Sequence, residues 1–307
     1  MNVFFKASLF LILFAHTQAF AQISMSDSTV QVVGYWYVGE MESYDISYET
    51  YKVNGTDTTE RELTRYEVDV TIKDSTANTY TIEWFYKNYE IQTEDPIVQK
   101  IASVAEDIRV LIKTDELGTI IEVVNWEEVR DFMLEATETV KKEFSDVPEI
   151  GPILDQMMGI YTSKQAIEGN AIKDAIQFYN YHGAKYTLGE ELTGKMYTQN
   201  NYGGEPFDTD VRVSLDEINE ENDNSVFRMY QTIDSEQLTD ATYNYLKDLG
   251  GLGAQMPPRE SFPPLTTETW SASRIHGSTG WIIYSIETRE VQAEGTVQVE
   301  ERIIDIK

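Results

Sequence analysis

Tyr35–Tyr44, with the sequence YWYVGEMESY, and Lys185–Gly194, with the sequence KYTLGEELTG, resemble each other although they lie in different halves of the chain. Each stretch has an aromatic residue, an aliphatic residue and a Gly-Glu pair at the same spacing. One match of this length arises easily by chance. The elements that follow the two stretches also recur in one order, however, and this order predicts an architecture built from one unit used twice.

The segments after Gly39-Glu40 alternate apolar and polar residues, as half-buried strands do. Asn54-Gly55 predicts a hairpin turn, because both residues tolerate positive φ. A helix from Pro96 and a further hairpin around Gly118 complete a β-β-β-α-β-β unit. The positions expected on one face of the strands are Tyr44, Ile46, Tyr48, Val68, Val70, Ile72, Tyr80, Ile82, Trp84 and Tyr86.

The same succession of elements follows Gly189-Glu190. An alternating strand contains Val211, Val213 and Leu215, which correspond to Val68, Val70 and Ile72 of the first unit. Next come the strand VFRMYQTI, a helix that begins at Ser235 and a strand pair around Gly280. The alternative is that the two halves are unrelated, since antiparallel meanders obey the same patterning rules.

The middle of the chain has helical periodicity. Asn125 and Glu128 predict a capping box, and Ser163–Tyr181 predicts a helix broken at Gly169-Asn170. We therefore predict the α+β class, with antiparallel sheet or sheets from two similar β-β-β-α-β-β modules and a helical insertion packed on the sheet. The expected parts are a signal peptide over residues 1–21, a first β-rich module over 22–125, a helical segment over 126–182 and a second β-rich module over 183–307.

The first 21 residues have the pattern of an export signal. Lys6 precedes the apolar run Ala7–Ala15, and Ala19-Phe20-Ala21 is a small-x-small cleavage pattern before Gln22. The alternative is an uncleaved N-terminal anchor. No later run approaches ~20 apolar residues, so after cleavage we do not expect an integral membrane protein. A periplasmic, extracellular or cell-surface location follows from this interpretation.

The amino-acid composition restricts the classes of partner that we expect the protein to bind. The chain has 24 Lys+Arg against 53 Asp+Glu and a net charge of −29. Such a surface repels nucleic-acid phosphates and anionic lipid headgroups, so we expect neither as a partner. The absence of cysteine excludes disulfides, thiolate metal sites and lipid anchoring through a cysteine. Glu205–Asp210 and Asp216–Asn224 are rich in ligands for Ca²⁺, but turn chemistry explains them equally well, and we predict no metal and no cofactor.

The sequence offers few residues of the types that catalytic sites usually require. Beyond residue 21 the histidines are His182 and His276. Ser278 is close to His276 in HGSTG, but neighbours within a turn rarely face each other, so this stretch predicts a hairpin loop rather than a catalytic pair. His182 follows a predicted helix, where a cation would stabilise the C-terminus. We assign no catalytic residue, and enzymatic activity stays an open question that leans towards none.

Aromatic residues on the strands are the candidate ligand-binding groups. Alternation places neighbouring aromatics on opposite faces of a strand, so some of them are available to stack on sugars or to line an apolar groove. The alternative is that they pack beneath the helices. The candidate ligand-binding residues are Trp36, Tyr48, Trp84 and Tyr86.

The last quarter of the chain resembles a class of uncharacterised β-rich exported envelope proteins of Gram-negative bacteria. The resemblance lies in SFPPLTTETW and GWIIYSI, where a segment led by Pro264 precedes the strand-borne Trp270. It implies a periplasmic or surface location and no catalytic residue. A sheet wrapped around helices is also similar in architecture to periplasmic lipoprotein carriers, which bind acyl chains.

Three functions remain open from the sequence. The leading hypothesis is a non-catalytic exported envelope protein that binds an apolar ligand, a glycan or a protein partner. A second is a secreted carboxylate-dependent hydrolase such as a glycosidase, which needs two close carboxylates in a cleft. A third is a purely structural envelope component.

Overall fold

Helices pack on a large antiparallel β-sheet that a small second sheet accompanies, and the predicted α+β class is confirmed. The computed structural model describes residues 22–93, 99, 103–145, 147, 150–200, 202, 204–248 and 256–307. The first part of the helix predicted from Pro96 and the expected signal peptide lie outside the described residues.

The first half of the sheet is a meander whose neighbouring strands pair antiparallel. Tyr44, Ile46, Val68, Ile72 and Ile82 are buried on its inner face, as the alternation predicts. The predicted hairpin at Asn54-Gly55 joins two of these strands. The strands are β3 Met41–Asn54, β4 Asp57–Ser75, β5 Thr79–Ile91, β6 Arg109–Asp115 and β7 Ile120–Val123, after the short β1 Ile23–Ser24 and β2 Thr29–Gln31.

The second half of the sheet is another antiparallel meander, and its last strand, β14, pairs with β3. This pairing joins the two meanders into one eleven-stranded sheet in the order β7-β6-β5-β4-β3-β14-β13-β12-β11-β10-β9. Strand β8 instead pairs with β2 in a small three-stranded sheet. The strands are β8 Lys185–Thr187, β9 Glu191–Thr198, β10 Phe207–Asn219, β11 Asn224–Ile233, β12 Thr266–His276, β13 Ile282–Ala293 and β14 Thr296–Ile306.

The middle of the chain supplies most of the helices on the inner face. Val129, Met133 and Val140 are the buried apolar face of the longest helix, at helical spacing. The predicted break falls in a π-helical turn, Ile167–Ala171, between two shorter helices. The α-helices are α1 Trp126–Glu143, α2 Ile150–Met158, α3 Lys164–Ala166, α4 Lys173–Tyr179 and α5 Ser235–Asp248; 3₁₀ turns span Ser103–Ala105, Gly159–Tyr161 and Arg259–Ser261.

The predicted capping box at the start of α1 is wrong. The side chain of Asn125 caps no helical N–H. Its Oδ1 accepts a hydrogen bond from the backbone N–H of Leu111 at 2.7 Å, and its Nδ2 donates to the carbonyl of Arg109 at 3.0 Å. Asn125 thus fixes the helix to β6, because the backbone of that strand competes successfully for the amide.

The two Gly-Glu stretches have the same local geometry. Gly39 has φ +88° and Gly189 has φ +76°, each at the third position of a four-residue turn. The N–H of Gly39 donates to the carbonyl of Ile72 at 2.8 Å, and that of Gly189 donates to Leu215 at 3.2 Å. Ile72 and Leu215 are the residues matched between the halves in the sequence. The duplication itself, with its module boundaries, stays a prediction that this agreement supports.

Equal substitutions at the two glycines provide a test of this correspondence. We expect Gly39→Ala and Gly189→Ala each to lower the free energy of unfolding by about 1 kcal/mol, because alanine is strained at positive φ. An added Cβ has nothing within 4 Å at either site, so the change in stability reports the backbone strain without a contribution from steric clashes. Gly194→Ala, on β9 at ordinary φ, is the control and should change stability little. Chemical denaturation measures all three, and clearly unequal costs at Gly39 and Gly189 would contradict the correspondence.

Candidate functional site

A cavity remains open between the inner face of the sheet and the helical layer. It consists of two adjoining chambers, of about 640 Å³ and about 240 Å³. Tyr48, Lys173 and Arg302 line both chambers and therefore mark their junction. We call the larger one the polar chamber and the smaller one the tyrosine chamber.

The tyrosine chamber lies under the first half of the sheet. Tyr66 and Tyr89 stack in its wall with ring centroids 4.7 Å apart. Burial raises the pKa of the Tyr48 and Tyr161 hydroxyls to about 12 and raises the pKa of Tyr66, Tyr86 and Tyr89 well above the usual value, so all remain neutral. Its lining is Tyr48, Thr64, Tyr66, Tyr86, Tyr89, Ala105, Ile108, Val110, Val129, Tyr161, Ile167, Ala171, Ile172, Lys173, Asp174 and Arg302.

The sheet side of the polar chamber is a square of alternating charges on two paired strands. Arg302 of β14 lies opposite Glu287 of β13, and Glu300 of β14 lies opposite Arg289 of β13. Their shortest nitrogen–oxygen distances are 3.4 Å for Arg302 and Glu287 and 3.2 Å for Arg289 and Glu300. Opposite charges placed directly across two strands stabilise the pairing.

Arg302 is the most buried member of this square and has a second acidic partner. Its Nε lies 2.8 Å from Oδ1 of Asp174, which is the second residue of α4. The hydroxyl of Tyr66 donates a 2.8 Å hydrogen bond to the other carboxylate oxygen of Asp174. Burial raises the pKa of Glu287, although the nearby Arg302 and Lys173 oppose that shift. The cluster therefore ties α4 to β13, β14 and β4 at the junction of the chambers.

Lys173 is the one cation at this junction that comes from the helical layer. Its side chain is accessible within the cavity, yet protein surrounds it, and burial lowers its pKa. The charges of Glu300 and Glu287 partly offset that effect. Among the described residues, no carboxylate oxygen lies within 4.0 Å of its ammonium group. The ammonium group of Lys173 thus faces the cavity and has no direct ionic partner among the described residues.

The structure separates the four predicted ligand-binding residues into two pairs. Tyr48 and Tyr86 line the tyrosine chamber. Trp84 and Trp36 are only 1% and 4% exposed and line neither chamber. Trp84 packs edge-on against Phe178 of α4, and Trp36 contacts Tyr80 in the same way. Ligand binding by these four residues stays a prediction, and the geometry favours it for Tyr48 and Tyr86.

Sequence reasoning missed the charged residues of the site. Glu287 and Arg289 alternate on β13, and Glu300 and Arg302 alternate on β14. The same strands carry the buried Ser285 and Ile304 on that face. The sequence therefore contained a signal: on each strand, two opposite charges are two residues apart and share a face with a buried residue. This pattern does not by itself predict a buried site, because charges on a strand ordinarily face solvent.

Among the described residues, neither His182 nor His276 is hydrogen-bonded to a serine, although His276 Nε2 lies 3.5 Å from Oδ2 of Asp223. Ser278 Oγ donates a hydrogen bond to Asp223 rather than to His276, whose Nδ1 lies 2.8 Å from the hydroxyl of Thr279. His182 is buried, and burial lowers its pKa to about 4. The expectation of a cation at the end of the helix is therefore wrong, because His182 lies in the core and is neutral at pH 7.

No helix among the described residues is both long enough and apolar enough to cross a membrane. In the same part of the chain, no three His, Cys, Asp or Glu side chains gather in a way that could hold a metal ion.

Comparison with known proteins gives little further guidance. No protein-family model and no curated protein matches the chain. A solved structure of lipovitellin, reported for its lipid–protein interactions, aligns with 88% of this chain at 10% identity and a TM-score of 0.41. The chain spans about a quarter of the lipovitellin chain, since 25% of it is covered. An outer membrane channel from Pseudomonas putida F1 aligns over 90% of this chain and 98% of its own, at 7% identity and a TM-score of 0.17.

These likenesses show a weak resemblance to other β-rich proteins and nothing more specific. TM-scores of 0.41 and 0.17 carry no argument about function. The function must therefore be inferred from the cavity.

Proposed function

We propose that this protein is a non-catalytic binding protein that holds an apolar or amphiphilic ligand in the cavity between sheet and helices. The supporting observation is the cavity itself, in which a tyrosine-lined apolar chamber opens onto a chamber with charged walls. Ligand sites typically occupy about 300–1,000 Å³ and combine apolar walls with a few polar groups. The two chambers together fit that description, and the apolar part of the ligand would occupy the tyrosine chamber.

The carboxylates of the cavity favour binding over glycoside hydrolysis. A glycosidase needs one carboxylic acid and one free carboxylate on either side of the scissile bond. Here Glu287 and Asp174 both lie beside Arg302, and Glu300 lies beside Arg289. The raised pKa of Glu287 is the feature that a hydrolase would share. Its pairing with an arginine, which favours the ionised form, supports a structural role for this carboxylate.

The proposed location is the cell envelope or the exterior. It rests on the export-signal pattern of residues 1–21 and the acidic composition. Expression of the full chain in a Gram-negative host, with mass spectrometry of the soluble fraction outside the cytoplasm, provides the test. A mature chain that begins at Gln22 is expected, and retention of the intact chain in the cytoplasm would contradict the proposal.

Filling the tyrosine chamber should abolish ligand binding. Ala171 lines the chamber, and Ala171→Trp places an indole in a space of about 240 Å³. We expect the neutral fluorescent probe N-phenylnaphthylamine to bind the wild-type chain and to bind Ala171→Trp at least about tenfold more weakly, a change of about 1.4 kcal/mol. Fluorescence titration measures both affinities.

Glu135→Trp is the matched control, since Glu135 lies on the exposed face of α1 and is not part of the packed core. It adds the same indole and should leave probe binding unchanged. Circular dichroism checks that both variants are folded. The proposal fails if the wild-type chain does not bind the probe, or if the folded Ala171→Trp variant binds it as well as the wild type.

A further inference from the structure

We infer that Lys173 is the head-group contact of the cavity and that the ligand is an amphiphile with a single anionic head group, such as a long-chain carboxylate. This inference rests on the proposed function and deepens it. It follows from the position of Lys173 at the junction of the chambers, and from the pairing of the charges that surround it.

Lys173 lies where the two chambers meet. Lys173 and Tyr48 both line the tyrosine chamber and the polar chamber. An amphiphile whose apolar tail fills the tyrosine chamber and whose head group reaches the polar chamber therefore passes Lys173. Its head group then emerges next to the ammonium, at the boundary where an apolar wall gives way to a charged one.

Lys173 also differs from the neighbouring cations in its ionic contacts. In the described part of the chain, the other cations that line the cavity are Arg302, which lies beside Asp174 and Glu287, and Arg289, which lies beside Glu300. Each of the two guanidinium groups therefore already has a carboxylate partner. Lys173 has no such contact among the described residues and is the most accessible cation of the group. An anion at this point would make a charge-assisted interaction without breaking an existing pair.

The burial of Lys173 also favours an anionic ligand on thermodynamic grounds. Desolvation disfavours the charged form of Lys173, as its lowered pKa indicates. An anionic group beside the ammonium offsets that cost, so ligand binding is coupled to full ionisation of Lys173. The net charge of −29 opposes any anion at long range. Salt screens that repulsion beyond about 8 Å at physiological ionic strength. At the junction, the nearby charge of Lys173 therefore affects the ligand more than the distant acidic surface does.

The test compares decanoate with decanol, which have the same tail length and differ in head-group charge. Each displaces N-phenylnaphthylamine from the wild-type chain in a fluorescence titration. We expect decanoate to bind about tenfold more tightly than decanol, in line with one charge-assisted contact. Lys173→Met should remove the preference by weakening decanoate alone, and Lys173→Arg should restore it.

Lys185→Met is the control, because Lys185 lies on β8 near Asp27 and lines neither chamber. It should keep the full preference for decanoate. Equal affinities of the wild-type chain for decanoate and decanol would overturn the inference while leaving the proposed function intact. The same holds if folded Lys173→Met retains the preference. Failure of the neutral probe to bind at all would overturn the proposed function and the inference together.

Discussion

Replacing Arg302 by methionine is expected to lower the free energy of unfolding by about 3–5 kcal/mol. Arg302 and Asp174 expose only 10% and 9% of their side chains, and Glu287 is the second acidic partner. Removal of the guanidinium leaves two carboxylates in the interior without their counter-charge, which costs more than the ion pair itself contributes. Urea denaturation followed by far-UV circular dichroism measures the change.

Two further variants separate this cause from a loss of packing. Arg289→Met breaks the neighbouring pair with Glu300, whose side chains are 37% and 27% exposed, and should cost no more than about 1 kcal/mol. The triple variant Arg302→Met, Asp174→Asn, Glu287→Gln carries no unpaired charge and should recover a large part of the loss. Similar costs for Arg302→Met and Arg289→Met would show that the buried cluster does not hold α4 on the sheet.

His182 should make the protein sensitive to mild acid. Its pKa is about 4 in the folded chain against an ordinary value of 6.5. Between these values the unfolded chain binds more protons than the folded one, so stability falls as the pH decreases from 6.5 to 4. The expected loss from this residue is about 3 kcal/mol, complete near the folded pKa. Its Nε2 donates to the carbonyl of Gly280 at 3.0 Å, an interaction that the neutral ring already makes.

The measurement is the free energy of unfolding at several pH values for the wild type and His182→Gln. Glutamine retains a donor towards Gly280 and does not titrate in this range. The difference between the two proteins should shrink by about 3 kcal/mol as the pH falls from 6.5 to 4. The raised pKa of Glu287 acts in both proteins and cancels in the difference. His276→Gln is the control at a partly exposed histidine, and the same pH dependence in both variants would contradict the role assigned to His182.

Much of the fold could be predicted because local pattern and tertiary environment agree. On β3 and β4 the alternating residues predicted for one face, such as Tyr44, Ile46 and Val68, are buried. The turn at Asn54-Gly55 and the break near Gly169 likewise follow from backbone preference alone. Where a side chain had two competing partners, as at Asn125, the sequence pattern selected the wrong one.

The joining of the two meanders could not be predicted. It depends on β14 pairing with β3, and these strands are separated by most of the chain. A period of two residues predicts which face a strand buries, but it does not predict which strand lies beside it. The sequence therefore left open whether the halves form one sheet or two domains.

The candidate site was only partly predictable for the same reason. Tyr48 and Tyr86 lie on strands whose alternation points them inward, and both line the tyrosine chamber. The charged junction instead requires α4, β13 and β14 to converge, which places Lys173 above Glu287 and Arg302. No local pattern encodes that convergence. Alternation points Trp84 inward as it does Tyr86, and neither alternation nor aromatic character distinguishes a core residue such as Trp84 or Trp36 from a cavity wall.

The most direct test of the binding cavity is a crystal structure of the wild-type chain with a long-chain alcohol that carries bromine at its tail end. Bromine scatters anomalously, so its position is read without interpretation of weak density. The account predicts an anomalous peak inside the tyrosine chamber, among Tyr66, Tyr86 and Tyr161. A ligand-saturated crystal with bromine only on the outer surface, and side chains closed over the empty space, would contradict it.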